Sequence, residues 1–283
     1  MSSAIDADHT IAFMGVEGAN ADLACRQNYP YMRTLACNSF EDAFAAVAEG
    51  RAKYAMIPIE NSQAGRVAEI HNLLPRTQLQ IVAEHIQSIE HHLYGVPGTK
   101  LEQVKEVYSH HQGLLQCRKF IHEQQLAPHI HDNTATAARD VAAWKDASKA
   151  AICSSLAGEL FQLERLAESI QDANDNETLF VVMAREAEDV PPNTPVITSL
   201  FFTLRNIPAA LYKALGGFAT NSVNVVKLES YIRGGANSSA QFFLTFEGDP
   251  HQRPVQLALE ELGFFTQKVN VLGVYPADKK RYA

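Results

Sequence analysis

The chain is short of cysteine, and the few it has are scattered. Cys25, Cys37, Cys117 and Cys153 form no C-x-x-C pair and match no zinc-ligand spacing. That argues against a zinc finger or dithiol redox site and for free, mostly buried thiols in a reducing compartment. Basic charge is also in deficit: 24 Lys and Arg stand against 32 Asp and Glu, a formal net charge of -8. A surface of that sign argues against nucleic acid as the main partner. An anionic ligand would need a local arrangement of a few basic side chains or helix amino ends. No apolar run is long enough to span a bilayer. Residues 1–9 carry Asp6 and Asp8 with no basic stretch ahead of an apolar one, so no secretory signal is expected. Glycine and proline are not in excess, which argues against large-scale disorder. What remains is a cytoplasmic globular protein whose 283 residues suffice for two domains.

Short apolar runs alternate with amphipathic stretches through the first two-thirds, an α/β pattern. Strands are expected at 11–14, 54–59, 104–108, 150–153 and 178–183, with a turn at Gly15 and Gly18. Helices are expected from Ser39, a candidate N-cap with Asp42 three residues on, over 65–74, from after Ser109 to about Gln125, and over 134–144. Residues 185–195 are charged, hold three prolines and lack periodicity, as a linker does. Beyond them the order is strand 196–204, helix 208–219, strand 223–232, a turn at Gly234 and Gly235, strand 240–246, helix 254–262 and strand 267–275. That order is βαββαβ, the ferredoxin-like arrangement.

Polar residues cluster where strands begin or end. Glu60, Asn61 and Ser62 follow one apolar strand; Ser109, His110, His111 and Gln112 follow another, with Gln116 on the same helix face as Gln112. Asn176, Glu177 and Thr178 open a third, and Asp132, Asn133 and Thr134 precede an Ala-rich helix. In α/β sheets ligands sit beyond strand ends, near helix amino termini, where such groups converge. Ser62, Ser109 and Thr134 taken singly are better explained as helix caps. The pairs His91 and His92, His110 and His111, and His129 and His131 match no strong metal motif and read as solvated or structural. Ser109 beside His110 lacks the G-x-S-x-G context of a hydrolase. Gly15 and Gly18 lack the rest of a phosphate loop and read as a tight turn.

Several of these segments resemble the prephenate dehydratase family. Residues 58–67 look like its P-I-E-N-S-x-x-G-x-V motif, and residues 109–117 like S-H-P-Q-A-L-x-Q-C. Phe13 to Gly18 is similar to its glycine turn, and Asn176, Thr178 and Phe180 fall where it carries N-x-T-R-F. Residues 208–215 look like P-G-A-L-Y-K-A-L of its ACT domain, and residues 227–230 like the start of K-I-E-S-R-P. The motifs run in the same order from Ile11 to Tyr275, which makes the set far more specific than any one of them.

The resemblance implies an α/β fold: a two-subdomain, type II periplasmic-binding-protein-like catalytic domain over 10–184, the linker 185–195, and a ferredoxin-like ACT regulatory domain over 196–277 that pairs between subunits as a homodimer or homotetramer. It implies a carbon–oxygen lyase that converts prephenate to phenylpyruvate with loss of carbon dioxide and water, with no metal or organic cofactor. Thr178 would be the donor to the departing hydroxyl. Asn61, Ser109 and Gln116 would complete the catalytic set with Glu60 as an orienting group, and Ser62, Asn176, Phe180, Gln112 and Thr134 would bind substrate. The effector L-phenylalanine would bind at an ACT interface near Ala209, Ala210, Leu211, Glu229 and Ser230.

The chain departs from the family pattern in places. Leu179 replaces the arginine of T-R-F, His111 replaces a proline, Asn133 a serine, and Tyr231 and Ile232 follow Glu229 and Ser230 in place of Arg-Pro. Strand alternation turns residue 179 away from a cleft that Thr178 faces. Arogenate dehydratase, and a ligand-binding sensor without catalysis, stand as the rival readings.

Overall fold

A computed structural model describes residues 6–232 and 240–282, and the expected turn at Gly234 and Gly235 lies outside them. The chain forms two compact units. One comprises Met1–Ile70 and His85–Phe180, the other His71–Glu84 and Val181–Ala283.

The first unit begins with β1 (Thr10–Met14), α1 (Asn20–Asn28), β2 (Arg33–Cys37), α2 (Phe40–Ala48), β3 (Tyr54–Asn61) and β4 (Gly65–Arg66). A short helix α3 (Ile70–Leu73) leads to β5 (Gln80–Ser88). A second set follows: β6 (His92–Gly95), β7 (Glu106–His110), α4 (His111–Gln116), α5 (Arg118–Glu123), β8 (Ala127–His131), α6 (Thr134–Trp144), β9 (Lys149–Cys153), α7 (Ser155–Leu160) and β10 (Glu164–Ala167). Strand β11 (Glu177–Ala184) then returns to the first sheet, whose order is β2-β1-β3-β11-β5 with β4 beside β3. The second sheet runs β10-β6-β9-β7-β8. Parallel pairs β1–β2, β1–β3, β7–β8 and β7–β9 place helices on the sheet faces, so the inner strands β1 and β9 are mostly apolar, while the outer strands β2 and β8 are largely exposed. Ile11, Ala12 and Phe13 are fully buried, as are Ala150, Ala151 and Ile152.

Several helix ends follow from local chemistry. Ser39 accepts the Asp42 amide at 3.1 Å, the cap expected for α2. Helix α6 spans the expected residues, but its cap is Asn133, whose side chain accepts the Ala135 amide at 2.8 Å. Two expected helices are corrected. Residues 65–74 do not form one helix: Gly65 adopts φ +81°, and the chain makes the β3–β4 hairpin before the single turn of α3. The single helix expected after Ser109 to about Gln125 starts at His111 and breaks at Cys117 (φ -121°) into α4 and α5.

In the second unit β12 (Val196–Leu204), α8 (Ala210–Thr220), β13 (Val225–Ile232), β14 (Ala240–Glu247), α9 (Arg253–Phe265) and β15 (Thr266–Pro276) build an antiparallel sheet of order β13-β14-β12-β15. This is the ferredoxin-like topology. Leu200, Phe202, Leu244 and Phe246 pack with Ala214, Phe218, Ala258 and Leu262 of the two helices. Ser199 links Thr245 (2.8 Å) and Tyr275 (2.7 Å), tying three strands through fully satisfied hydroxyls. Segment 71–84 belongs to this unit. A Cβ on Gly273 would lie 2.1 Å from the Ile81 carbonyl oxygen, and the buried Glu84 carboxylate pairs with Arg281 and accepts the Asp278 amide at 3.0 Å.

Ala209, at the start of α8, holds a left-handed backbone (φ 58°, ψ 28°) that a Cβ disfavours by about 1 kcal/mol or more. Ala209→Gly is expected to raise stability by about 0.5 kcal/mol, the relief being partly offset by the freer unfolded chain. Urea denaturation of the two proteins checks this; unchanged or lower stability goes against it.

Candidate active site

The first unit encloses a cavity of about 540 Å³ lined from both of its sheets. Four chain segments meet there through side-chain amides. The hairpin after β3 sets the first of them. Asn61 Oδ1 accepts the backbone amides of Gln63 (3.1 Å) and Ala64 (2.8 Å), so its oxygen points into the turn. Its Nδ2 is thereby turned outward, donating to Asn176 Oδ1 (2.8 Å), Thr178 Oγ1 (2.9 Å) and the Glu177 carbonyl (3.1 Å). Backbone amides only donate, so the direction of every later bond follows from this one.

With its oxygen occupied, Asn176 donates through Nδ2 to Gln116 Oε1 at 3.1 Å. His91 Nε2 also contacts Gln116 Oε1, at 2.7 Å. Ser62 locks the same loop: its amide donates to the Glu177 carbonyl (2.8 Å), its hydroxyl donates to the Asp175 carbonyl (2.7 Å), and the Glu177 amide donates to its Oγ (3.0 Å). Thr178 is 8 % exposed and accepts from Asn61; among the described residues its own proton has no acceptor.

Of the residues the sequence singled out, Asn61, Gln112, Gln116, Thr134, Asn176, Thr178 and Phe180 all line the cavity. Leu179 does not, as strand alternation requires. Three others are not brought to it. Ser109 is fully buried in β7 and donates to the Ile152 carbonyl at 2.7 Å, beneath Gly113. Glu60 precedes Asn61 in β3, so the pleat turns it to the other face, where Arg66 is its register partner. Ser62 serves the loop and not the lining. In the second unit the five expected effector residues do not form one site within a single chain. Ala210 is in the helix-side core, with Leu211 packed against it, while Glu229 and Ser230 alternate across edge strand β13. Glu229 lies 3.3 Å from Lys227 Nζ.

His91 escaped the sequence reading because it sits in no motif and its neighbour His92 suggested a solvated pair. Both are 3 % exposed. Burial lowers the pKa of each, most directly for His91, which stays neutral. The four cysteines are buried, and desolvation raises the thiol pKa of all four, at Cys117 to about 12. None is a ready nucleophile. Among the described residues no lysine or arginine lines the cavity, and Asp132 is the carboxylate that does. Helices α1 and α6 bring their amino ends to it through Ala19, Asn20, Asn133 and Thr134, and α1 carries no side-chain cap. Among the described residues no group of three or more His, Cys, Asp or Glu is arranged to hold a metal ion.

Fold and site together define a two-sheet cleft domain, with a polar, amide-lined cavity, joined to a ferredoxin-like unit. The family model for prephenate dehydratase matches residues 11–188, and the chain belongs to that family. A bifunctional N-acyl-homoserine lactone acylase/prephenate dehydratase of Komagataeibacter europaeus is 44% identical over 98% of this chain and 99% of its own length. Arogenate dehydratase/prephenate dehydratase 1 of Arabidopsis thaliana, a chloroplastic protein, is 36% identical over 98% of this chain and 74% of its own length. The crystal structure of a prephenate dehydratase from Arthrobacter aurescens in complex with L-Phe superposes with a TM-score of 0.85 at 27% identity, covering 94% of this chain and 89% of that one. The fold class is accordingly α/β, of type II periplasmic-binding-protein kind with a ferredoxin-like unit of ACT type. No helix among the described residues is long and apolar enough to cross a membrane.

Asn61→Asp keeps the acceptor for the turn but presents lone pairs to Asn176 Oδ1 and the Glu177 carbonyl. It is expected to cost about 2 kcal/mol of stability, the penalty for opposed, half-buried polar groups. Denaturant midpoints of the two proteins measure it; an unchanged midpoint rejects the direction assigned to these bonds.

Proposed function

We propose that the chain is a prephenate dehydratase of phenylalanine biosynthesis, acting in the cytoplasm on prephenate to give phenylpyruvate, carbon dioxide and water. The observation that carries this reading is the polarity at Thr178: the hydroxyl accepts from Asn61 and keeps its proton for something in the cavity. In the reaction the bond from ring carbon to carboxylate breaks, its electron pair enters the ring, and the opposite carbon–oxygen bond breaks. The hydroxide that leaves takes up a proton and departs as water. Aromatisation drives the step, so the protein has mainly to orient two carboxylates and a hydroxyl. Thr178 donates to the departing oxygen; a threonine is too weak an acid to do more than polarise and position it. The amino ends of α1 and α6 and the side-chain amides take the place of cations around the carboxylates.

In the same reading the catalytic part occupies 10–184, the linker 185–195, and an ACT domain 196–277 that pairs between copies as a homodimer or homotetramer. L-Phenylalanine binds across that pairing near Ala209, Ala210, Leu211, Glu229 and Ser230 and lowers turnover. A site completed by a second copy accounts for a single chain that does not bring these residues together.

A second reading, arogenate as substrate, is favoured by Asp132. It is an exposed carboxylate on the cavity wall, with no lysine or arginine on that wall among the described residues to neutralise it, and it suits an ammonium group better than a keto oxygen. Acyl hydrolysis, the other activity named for the Komagataeibacter relative, finds less support here. Among the described residues neither Thr134 nor Thr178, the cavity's hydroxyls, is hydrogen-bonded to a histidine.

Purified protein given prephenate, arogenate or an N-acyl-homoserine lactone, with and without phenylalanine, tests the reading. Phenylpyruvate that falls with added phenylalanine is expected; no turnover of prephenate or arogenate by folded protein rejects it. Thr178→Val is expected to lower kcat on the order of 10²-fold, with Thr178→Ser retaining most of it. Asp132→Asn is expected to leave prephenate kcat/KM equal or higher while lowering any arogenate kcat/KM about tenfold, so equal effects on both substrates reject its proposed role.

A further inference from the structure

We infer that His91 is a positioning residue of this site: by donating its Nε2 proton to Gln116 Oε1 it joins Asn176 in holding the end of the Gln116 amide that meets the substrate. The inference rests on the cavity being where the dehydration proposed above takes place.

The tautomer follows from the direction of the relay. Gln116 Oε1 already accepts from Asn176, whose own oxygen is held by Asn61, whose oxygen is held by two backbone amides. An oxygen cannot donate, so at 2.7 Å the proton lies on His91 Nε2. Nδ1 therefore carries the lone pair, and it is buried with no partner among the described residues. The backbone around the ring is clamped on both sides: the His91 amide donates to Gln171 Oε1 (3.0 Å) and its carbonyl accepts the Ile170 amide (2.8 Å). An unpartnered buried nitrogen costs stability, so the ring is a poor choice for packing alone.

What the ring does is hold Gln116. With two donors on its oxygen, the amide leaves its NH₂ group as the part free for an occupant of the cavity that Gln116 lines. That group meets an acceptor, which suits a carboxylate of a substrate in a cavity that, among the described residues, no lysine or arginine lines. Without His91, Asn176 would be the single remaining donor, the amide would be held less firmly, and a flip would present its oxygen to the same carboxylate. His91, whose ring also lines the cavity, thus reinforces through Gln116 the sign of the contact that Asn176 sets.

The test uses the full chain with prephenate or arogenate, whichever the wild type turns over faster. His91→Leu is expected to raise KM on the order of tenfold or more with kcat changed less than about threefold, the pattern of a lost contact made equally in ground and transition states. His91→Gln, which keeps a donor, is expected to restore KM to within about threefold of wild type. In a Gln116→Leu background, His91→Leu is expected to change KM by less than about twofold, because the residue acts through Gln116. Nitrogen NMR of histidine-labelled wild type, assigned by its loss in His91→Leu, should show a neutral ring protonated on Nε2. Wild-type KM in His91→Leu, no rescue by His91→Gln, an equal effect in both backgrounds, or the proton on Nδ1 each overturns the role of His91 while the dehydratase reading stands. No product from wild type overturns that reading and this role with it.

Discussion

The site depends on which way one carboxamide points. Asn61 could face its turn with either end of the amide, and two backbone N–H groups, from Gln63 and Ala64, fix the oxygen there. That closes the β3–β4 hairpin and sends the nitrogen toward β11. From there donors and acceptors alternate through Asn176, Gln116 and His91 with no freedom left, and Thr178 becomes an acceptor with a proton to give. Each bond is worth about 1 kcal/mol net, but one reversal would leave several half-buried groups opposed, so the network resists partial change.

This arrangement also answers a problem posed by charge. With a formal net charge of -8, and no lysine or arginine lining the cavity among the described residues, the protein is an unpromising host for the dianion that the proposed reaction requires. Helix amino ends and amide hydrogens supply partial positive charge without the desolvation cost of burying a guanidinium. They are fixed before substrate arrives, which is where hydrogen-bond donors are most effective in catalysis. Leu179, where the motif that this segment resembles has an arginine, is not among the residues that line the cavity.

Much of this was legible in the sequence, and the failures share a cause. Strong local signals survived: the Ser39 cap, the Ala-rich α6, the βαββαβ order, and amides recurring at strand ends. What failed depended on period. Glu60 and Ser109 belong to motif segments, but the pleat turns Glu60 away from the face of Asn61 and Ser109 is buried beneath Gly113, and a motif does not state its register. The hairpin at Gly65 was taken for helix because the turn is made by the Asn61 side chain reaching forward, a contact that apolar periodicity does not report. His91 was missed because nothing local distinguishes a buried histidine from a solvated one; its neighbours come from Gln116, 25 positions away, and Gln171, 80 positions away.

The second unit holds segment 71–84, although the residues on both sides of it belong to the first. Gly273 admits the Ile81 backbone because it has no Cβ, and Glu84 is neutralised by Arg281. Removing either partner would strand a buried charge or a clash, so the segment is held firmly. The chain then passes from one unit to the other inside two strands, β5 after Glu84 and β11 after Phe180. Strand β5 leads within a few residues to His91, and β11 carries Thr178 just before its crossing. If the second unit binds phenylalanine, as proposed, a small shift there need not travel through a chain of side chains to be felt. The backbone of these two strands ends at the two groups whose orientation the site can least afford to lose, one holding the Gln116 amide and the other offering the proton.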